Sequence, residues 1–464
     1  MPQKDEVELD ITNVAHGGVF VARHEGRVVF VPDTMPGERV RVRIADTSHE
    51  RFWRGEVLDV VEASPERRAH VWGAAALERP PAERAGGAEF GHIRLEYQRE
   101  LKRRVIEDAL QRTAKLPAEA IATAGVDGRP ILVEPVEGET ADGTGWRTRV
   151  RLQVDDAGRV GPFASRSHTV IPVTDLPLAT EAVQAATPFG QLFPGAESVD
   201  IVATGLGTAH VLVNDAPARS GPRDGAPTGT RGGTRTGTRG GAGKGRGRGD
   251  RRARAPREAR PHRQPVPIRE RVGDREFRLD ARGFWQVHRG AAQTLTQAVQ
   301  AAVDEALFDP RAANLDLYGG VGLLAAALGD RFGSTLRITS VESDEAATDD
   351  AAENLSEWVG ASALTERVER YVARLAADAS AAERARLRAA TVVLDPPRSG
   401  AGREVVDSIA SLAPAQIVYV ACDPVALARD LAFFAGHGYA MTGMRAFDLF
   451  PNTHHVEAVA TLTR

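Results

Sequence analysis

Asn314-Leu315-Asp316-Leu317-Tyr318 followed by Gly319-Gly320-Val321-Gly322 reads as a short buried strand, a glycine turn and the start of a helix. Three more strand signals follow it. Leu336 to Glu342 ends in an acid. Thr391 to Leu394 runs into Asp395-Pro396-Pro397-Arg398. Gln416 to Ala421 runs into Cys422-Asp423-Pro424. Ala-rich helical stretches separate these runs, and Ala291 to Leu307 reads as a helix ahead of the first. Strands alternating with helices predict a doubly wound, Rossmann-like α/β domain over residues 266–464. Such sheets bind ligands at the carboxyl ends of their strands. Asp316, Glu342, Asp395 and Cys422 all fall at or near such ends.

Each of these ends has a chemistry. Glycines after the first strand let the backbone approach a nucleotide-like ligand. An acid closing the next strand suits the two hydroxyls of a ribose. Alone the glycine turn is weak, because many α/β turns use glycine for packing. No Gly-Lys-Ser/Thr phosphate loop is present, which disfavours an ATPase. In Asp395-Pro396-Pro397-Arg398 the prolines fix φ and remove N–H donors, so the strand must stop there. A structural stop accounts for the prolines and leaves the flanking Asp and Arg unexplained. Cys422 is the single cysteine in the chain. Its local context leaves two readings open, a small buried hydrophobe or a nucleophile.

Upstream, 464 residues exceed one ordinary core, so several domains are expected. Residues 1–62 alternate strongly, as in Arg39-Val40-Arg41-Val42-Arg43-Ile44, and predict a small OB-like β-barrel. Arg51, Phe52, Trp53 and Arg54 could line a single-stranded nucleic-acid face or simply be surface residues. Residues 63–215 read as an α+β domain. It carries a helix near 95–114, with Leu95, Leu101, Val105, Ile106, Ala109 and Leu110 at helical spacing, which is expected to pack on the domain over residues 266–464. Residues 216–265 hold fourteen Lys and Arg against three Asp and Glu among glycines, a composition expected to be disordered. That segment reads as a solvated linker, as an electrostatic arm for nucleic acid, or as both. One cysteine excludes an internal disulfide and argues against a cysteine-ligated metal. No run is apolar enough to span a bilayer and the N-terminus is not signal-like, so a cytoplasmic protein is expected.

Four motifs in order resemble those of the RNA 5-methyluridine methyltransferases: Asp316 to Gly322, Asp395 to Arg398, Tyr419 to Pro424, and Thr453-His454-His455-Val456-Glu457. Phe284-Trp285-Gln286-Val287 resembles the segment preceding their catalytic core, and the N-terminal barrel is similar to their TRAM domain. The resemblance covers nearly the whole chain outside the Gly/Arg segment. It implies S-adenosylmethionine as cofactor, with Gln286, Tyr318, Glu342 and Asp395 in contact with it. It implies Cys422 as the nucleophile at C6 of a uracil and Glu457 as the base that removes the C5 proton. The substrate it implies is a uridine extruded from structured RNA, ribosomal or transfer.

The chain departs from the family pattern in places. Ala85-Gly86-Gly87-Ala88 stands where many members carry a Cys-Gly-Gly-Cys, so no iron–sulfur cluster is expected. Gly319 stands where a cysteine is common, Leu323 where a polar cofactor contact can occur, and Arg374 is a loose counterpart of another. Two alternatives stay open: an S-adenosylmethionine-dependent N-methyltransferase, and a non-catalytic RNA-binding protein with a methyltransferase-like domain. Arg398 in place of an aromatic residue argues against the first, and Cys422 with Glu457 against the second. A monomer is the default expectation. Which RNA and which uridine are acted on is not legible in the sequence.

Overall fold

The computed structural model describes residues 6–165, 167–215 and 264–464. Nearly all of the Gly/Arg segment lies outside them, and so does the expectation of a disordered arm. The N-terminal strands are β1 (Glu6–Asp10), β2 (Asn13–Ala15), β3 (Val19–His24), β4 (Arg27–Val31), β5 (Arg39–Asp46) and β6 (Phe52–Glu62), forming one sheet in the order β1-β5-β6-β4-β3-β2. Alternation explains which face of the sheet is buried. Val40 and Val42 are buried while Arg39 and Arg41 face out, and the inner face closes on Phe20, Val29, Val31 and Met35. Phe90, Ile93 and Leu101 from the next segment complete that core.

The middle segment contains α1 (Leu95–Arg112), α2 (Ala118–Ala122), β7 (Val133–Glu134), β8 (Arg149–Val154), β9 (Val160–Gly161), α3 (Glu181–Ala186), β10 (Ala196–Ala203) and β11 (Ala209–Asp215). Its sheet runs β11-β10-β8-β9 around Trp72, Trp146, Leu152 and Val199. Two of its elements belong elsewhere. β7 pairs in parallel with the far edge of the C-terminal sheet, and Ile106, Ala109 and Leu110 of α1 enter the core of the C-terminal domain. The change of composition at residue 266 is therefore crossed by the structure, because an exposed sheet edge and an apolar helix stripe both need cover.

The C-terminal region contains β12 (Pro267–Val272), β13 (Arg275–Asp280), α4 (Ala291–Ala302), β14 (Asn314–Leu317), α5 (Leu323–Phe332), β15 (Arg337–Glu342), α6 (Glu345–Asn354), β16 (Gly360–Thr365), α7 (Val368–Asp378), α8 (Ala381–Arg388), β17 (Thr391–Leu394), α9 (Arg403–Leu412), β18 (Gln416–Ala421), α10 (Pro424–Gly436), β19 (Ala440–Phe447) and β20 (Glu457–Thr463). The eight-stranded order is β16-β15-β14-β17-β18-β20-β19-β7. β14 to β18 are parallel and β20 is antiparallel to β18. β14 and β17 are neighbours from which the chain winds in opposite directions, so the topological switch point lies between Tyr318 and Asp395. The helix expected over Ala291–Leu307 stops at Ala302. There Val303 turns extended and the Asp304 N–H donates to the Gln416 side chain at 2.9 Å. Among the described residues no helix is long and apolar enough to cross a membrane.

Candidate functional site

The glycine turn is shaped by what lies beneath it. Tyr318 is left-handed at φ 62°, which turns the chain sharply off the end of β14. A Cβ at Gly319 would sit 2.0 Å from Ser340 Oγ and 2.7 Å from Asp316 Oδ2, so only glycine fits. Ser340 donates to Asp316 Oδ2 at 2.9 Å, while Asp316 Oδ1 is buried without a hydrogen-bond partner. Glu342 accepts the Gly320 N–H at 3.3 Å and the Asp344 N–H at 3.0 Å. In register, Leu317 lies beside Val341 and Leu394, so Tyr318, Glu342 and Asp395 are the next residues on three adjacent strands.

Cys422 and Glu457 meet through the β18–β20 register. Ala421 pairs with Ala458, so Cys422 and Glu457 are the next facing positions, whose side chains share one face. Glu457 is buried and Cys422 half-buried. Burial first, then the carboxyls of Glu457 and Asp395, push the Cys422 thiol up to about 12, against the pull of the Arg398 guanidinium. Burial and Asp395 hold the Glu457 carboxyl well above the usual range. Burial and Asp316 raise Asp395 to about 7, and burial raises Asp316 to about 6. Four acidic groups crowded into one desolvated place cannot all ionise without a compensating charge. A cationic ligand would supply that charge, and the sulfonium of S-adenosylmethionine is one.

The loop after Asp395-Pro396-Pro397-Arg398 is fastened to α10. Tyr419 Oη and the Ala401 N–H both donate to the buried Asp430 at 2.7 Å, and Arg429 donates to the Ser399 carbonyl at 2.7 Å. Asp423 caps α10 by accepting the Val425 and Ala426 N–H groups. It also meets His16 Nε2 of the N-terminal domain at 2.8 Å. That bond raises the His16 imidazole and, against burial, holds Asp423 below its ordinary value. A cleft of about 170 Å³ opens at Cys422, walled by the His16–Gly18 turn, Arg398 and the His454–Val456 segment. The sequence carried no signal for His16 as a wall of this cleft. Local patterning cannot show that the turn between two barrel strands lands on a cysteine 400 residues away.

The remaining expected residues are placed less centrally. Gln286 is half-buried in the connection from β13 to α4, and its side chain has no hydrogen-bond partner among the described residues. Leu323 is buried at the start of α5. Arg374 is exposed on α7 and donates to Glu366 at 2.6 Å. Ala85 and Ala88 are buried in the apolar core around Trp72 and Trp146. Among the described residues no group of three or more His, Cys, Asp or Glu is placed to hold a metal ion. Phe52 stacks on His49 at 4.4 Å, and Arg27 lies over the Trp53 ring at 4.7 Å.

Fold and pocket first define a class: a doubly wound α/β domain whose acid-lined switch point suits a nucleoside cofactor, joined to a small β-domain. Residues 271–464 match the profile of the tRNA (Uracil-5-)-methyltransferase family and residues 3–58 that of the TRAM domain. An uncharacterized RNA methyltransferase of Streptomyces coelicolor is 36% identical, over 99% of this chain and 93% of that one. One of Corynebacterium efficiens is 32% identical, over 99% and 95%. The crystal structure of Pyrococcus abyssi tRNA (uracil-54, C5)-methyltransferase with S-adenosyl-L-homocysteine aligns with a TM-score of 0.62 at 19% identity. The alignment covers 98% of this chain and 99% of that one, a likeness of fold. The chain belongs to the tRNA (uracil-5-)-methyltransferase family of RNA methyltransferases and carries a TRAM domain.

Proposed function

We propose that the protein methylates C5 of a uridine in structured RNA, ribosomal or transfer, with Cys422 as nucleophile and Glu457 as base. The observation that carries this reading is the β18–β20 register, which sets a thiol and a buried carboxyl on facing positions beside Arg398. C5 of uracil is a poor nucleophile until something adds at C6. Once its proton has passed to solvent, the Cys422 thiolate adds there, its sulfur bonding C6 while the C5=C6 pair moves toward C5 and O4. S-adenosylmethionine supplies the electrophilic methyl that the activated C5 accepts. Glu457 then takes the C5 proton, the C5=C6 bond re-forms, and the thiolate leaves. Tyr318, Glu342, Asp395 and Gln286 are the residues proposed to hold the cofactor. Glu342 is proposed to take a ribose diol, and Asp395, with Asp316 Oδ1, to face positive charge. With its one cysteine in this cleft, the protein has no thiolate left for an iron–sulfur cluster and is proposed to carry none. The aromatic and basic side chains around Phe52 and Trp53 are proposed to hold unpaired bases.

The test is a trapped intermediate. With cofactor and substrate RNA, Glu457→Gln should form the methylated adduct and fail to release it, giving an RNA-linked band on a denaturing gel. The Cys422→Ala, Glu457→Gln double variant should give no such band. An N-methyltransferase or a binding protein would give none with either. A Cys422→Ala protein that still makes 5-methyluridine would overturn the reading.

A further inference from the structure

Glu457 sits at the end of a hairpin that is held from outside the catalytic sheet. β19 and β20 pair Phe447 with Glu457, so residues 448–456 form the closing loop. From α1, Lys102 Nζ donates to the Asp448 carboxylate and, at 3.1 Å, to the Phe450 carbonyl. The same carbonyl accepts the Thr453 N–H at 3.1 Å and the Thr453 hydroxyl at 2.8 Å, which closes the turn. Gln98, one helical turn earlier, accepts the Asn452 N–H at 2.8 Å and donates to Asn452 Oδ1 at 3.0 Å. Asn452 is left-handed at φ 65° and wholly buried, and its Nδ2 donates to the carbonyls of Asp142 and Gly143. The three residues after this turn line the Cys422 cleft, and Glu457 follows them directly.

Stability alone does not call for this arrangement. The Lys102 and Asp448 side chains are both fully buried. Taking two charges out of water costs more than it returns unless the geometry is very good, and apolar residues of similar volume often do as well. A buried pair is best justified where it selects one geometry over others. Here it does so under a loop that is at once a wall of the cleft and the lead into the base. We propose that Lys102 is a positioning residue for the proposed base: through Asp448 and the Phe450 carbonyl it fixes the loop that aims the Glu457 carboxyl at C5. The inference rests on the reading of Glu457 as that base.

The experiment uses the full chain in single turnover with S-adenosylmethionine and substrate RNA, reading adduct formation and adduct release separately. Lys102→Met alone leaves the Asp448 carboxylate with only the Arg99 guanidinium, 3.5 Å away, so it is paired with Lys102→Met, Asp448→Leu, which removes the whole Lys102–Asp448 pair. The double variant should melt within a few degrees of wild type, form the methylated adduct at close to the wild-type rate, and release it at least tenfold more slowly. Asn452→Gly keeps the left-handed backbone while cutting the side-chain ties on the other side of the loop, and should slow release in the same way. A residue needed only for folding would slow both steps together or neither. Release at the wild-type rate in both variants, or equal slowing of the two steps, overturns the inference. Glu457→Gln separates this from the underlying reading. If it releases RNA normally, the base assignment fails. If it traps RNA while the Lys102 and Asn452 variants do not, the positioning role alone fails.

Discussion

Alkylation of Cys422 in the free protein should be slow at neutral pH and should keep accelerating far into the alkaline range. The chain has one cysteine, so the intact mass after treatment with iodoacetamide reports this thiol and no other. With the thiol raised to about 12, the thiolate fraction at pH 8 is about 10⁻⁴, against roughly a quarter for an ordinary thiol of pKa about 8.5. That is a deficit of about 2.5 × 10³, or about 3.4 decades. The more basic thiolate is intrinsically more reactive, which regains about 1.5 decades over this shift, so the net expectation is a rate roughly 10²-fold below an exposed thiol. The sign follows from the neighbours. A raised pKa leaves the reactive thiolate scarce until high pH, so the rate should climb about tenfold per pH unit through pH 10 instead of levelling near pH 9. Glu457→Gln and Asp395→Asn each remove a carboxyl that raises the thiol, and should shift the profile to lower pH. Arg398→Met removes the opposing cation and should shift it to higher pH. Steric shielding changes the height of such a profile and leaves its inflection in place. A wild-type profile that levels between pH 8 and 9 would refute the burial and charge environment described for Cys422.

Glu342→Ala should weaken S-adenosylmethionine binding by about 1.5–3 kcal/mol, the scale of hydrogen bonds to a charged group. Calorimetry checks it, and unchanged affinity would remove Glu342 from the site. Gly319→Ala should destabilise the protein by about 1–3 kcal/mol in denaturant, since the new methyl must displace Ser340 Oγ and Asp316 Oδ2. Wild-type stability there would mean that the floor of the glycine turn is not packed as described.

Periodic signals were legible because they are local. The alternation of Arg39 to Ile44 reappears as outward arginines and inward valines. The apolar spacing from Leu95 to Leu110 became α1. Gly360-Ala361-Ser362-Ala363-Leu364-Thr365 was not legible as a strand. It is the outer edge of the sheet, paired on one side and half-exposed, so it carries no buried pattern. The helix after Ala291 was read five residues too long, because Val303 to Leu307 have helical composition and the groups that meet its end, the side chains of Gln416 and Thr461, come from distant strands.

By itself the sequence determined the kinds of chemistry available and their order along the chain. These are a glycine turn after a strand, an acid at the end of the next, Asp-Pro-Pro-Arg, one cysteine and one late glutamate. Residue type and short-range spacing are enough for that. Tertiary structure decided everything that depends on distance and dielectric. The β18–β20 register, a long-range pairing, set Cys422 facing Glu457. Burial together turned Asp316, Asp395 and Glu457 into acids of raised pKa, since a charge is costly only where water has been excluded. Folding also brought Lys102 and His16 to the site from two other parts of the chain. No local pattern marks those residues, because each acts through partners more than 300 positions away in sequence.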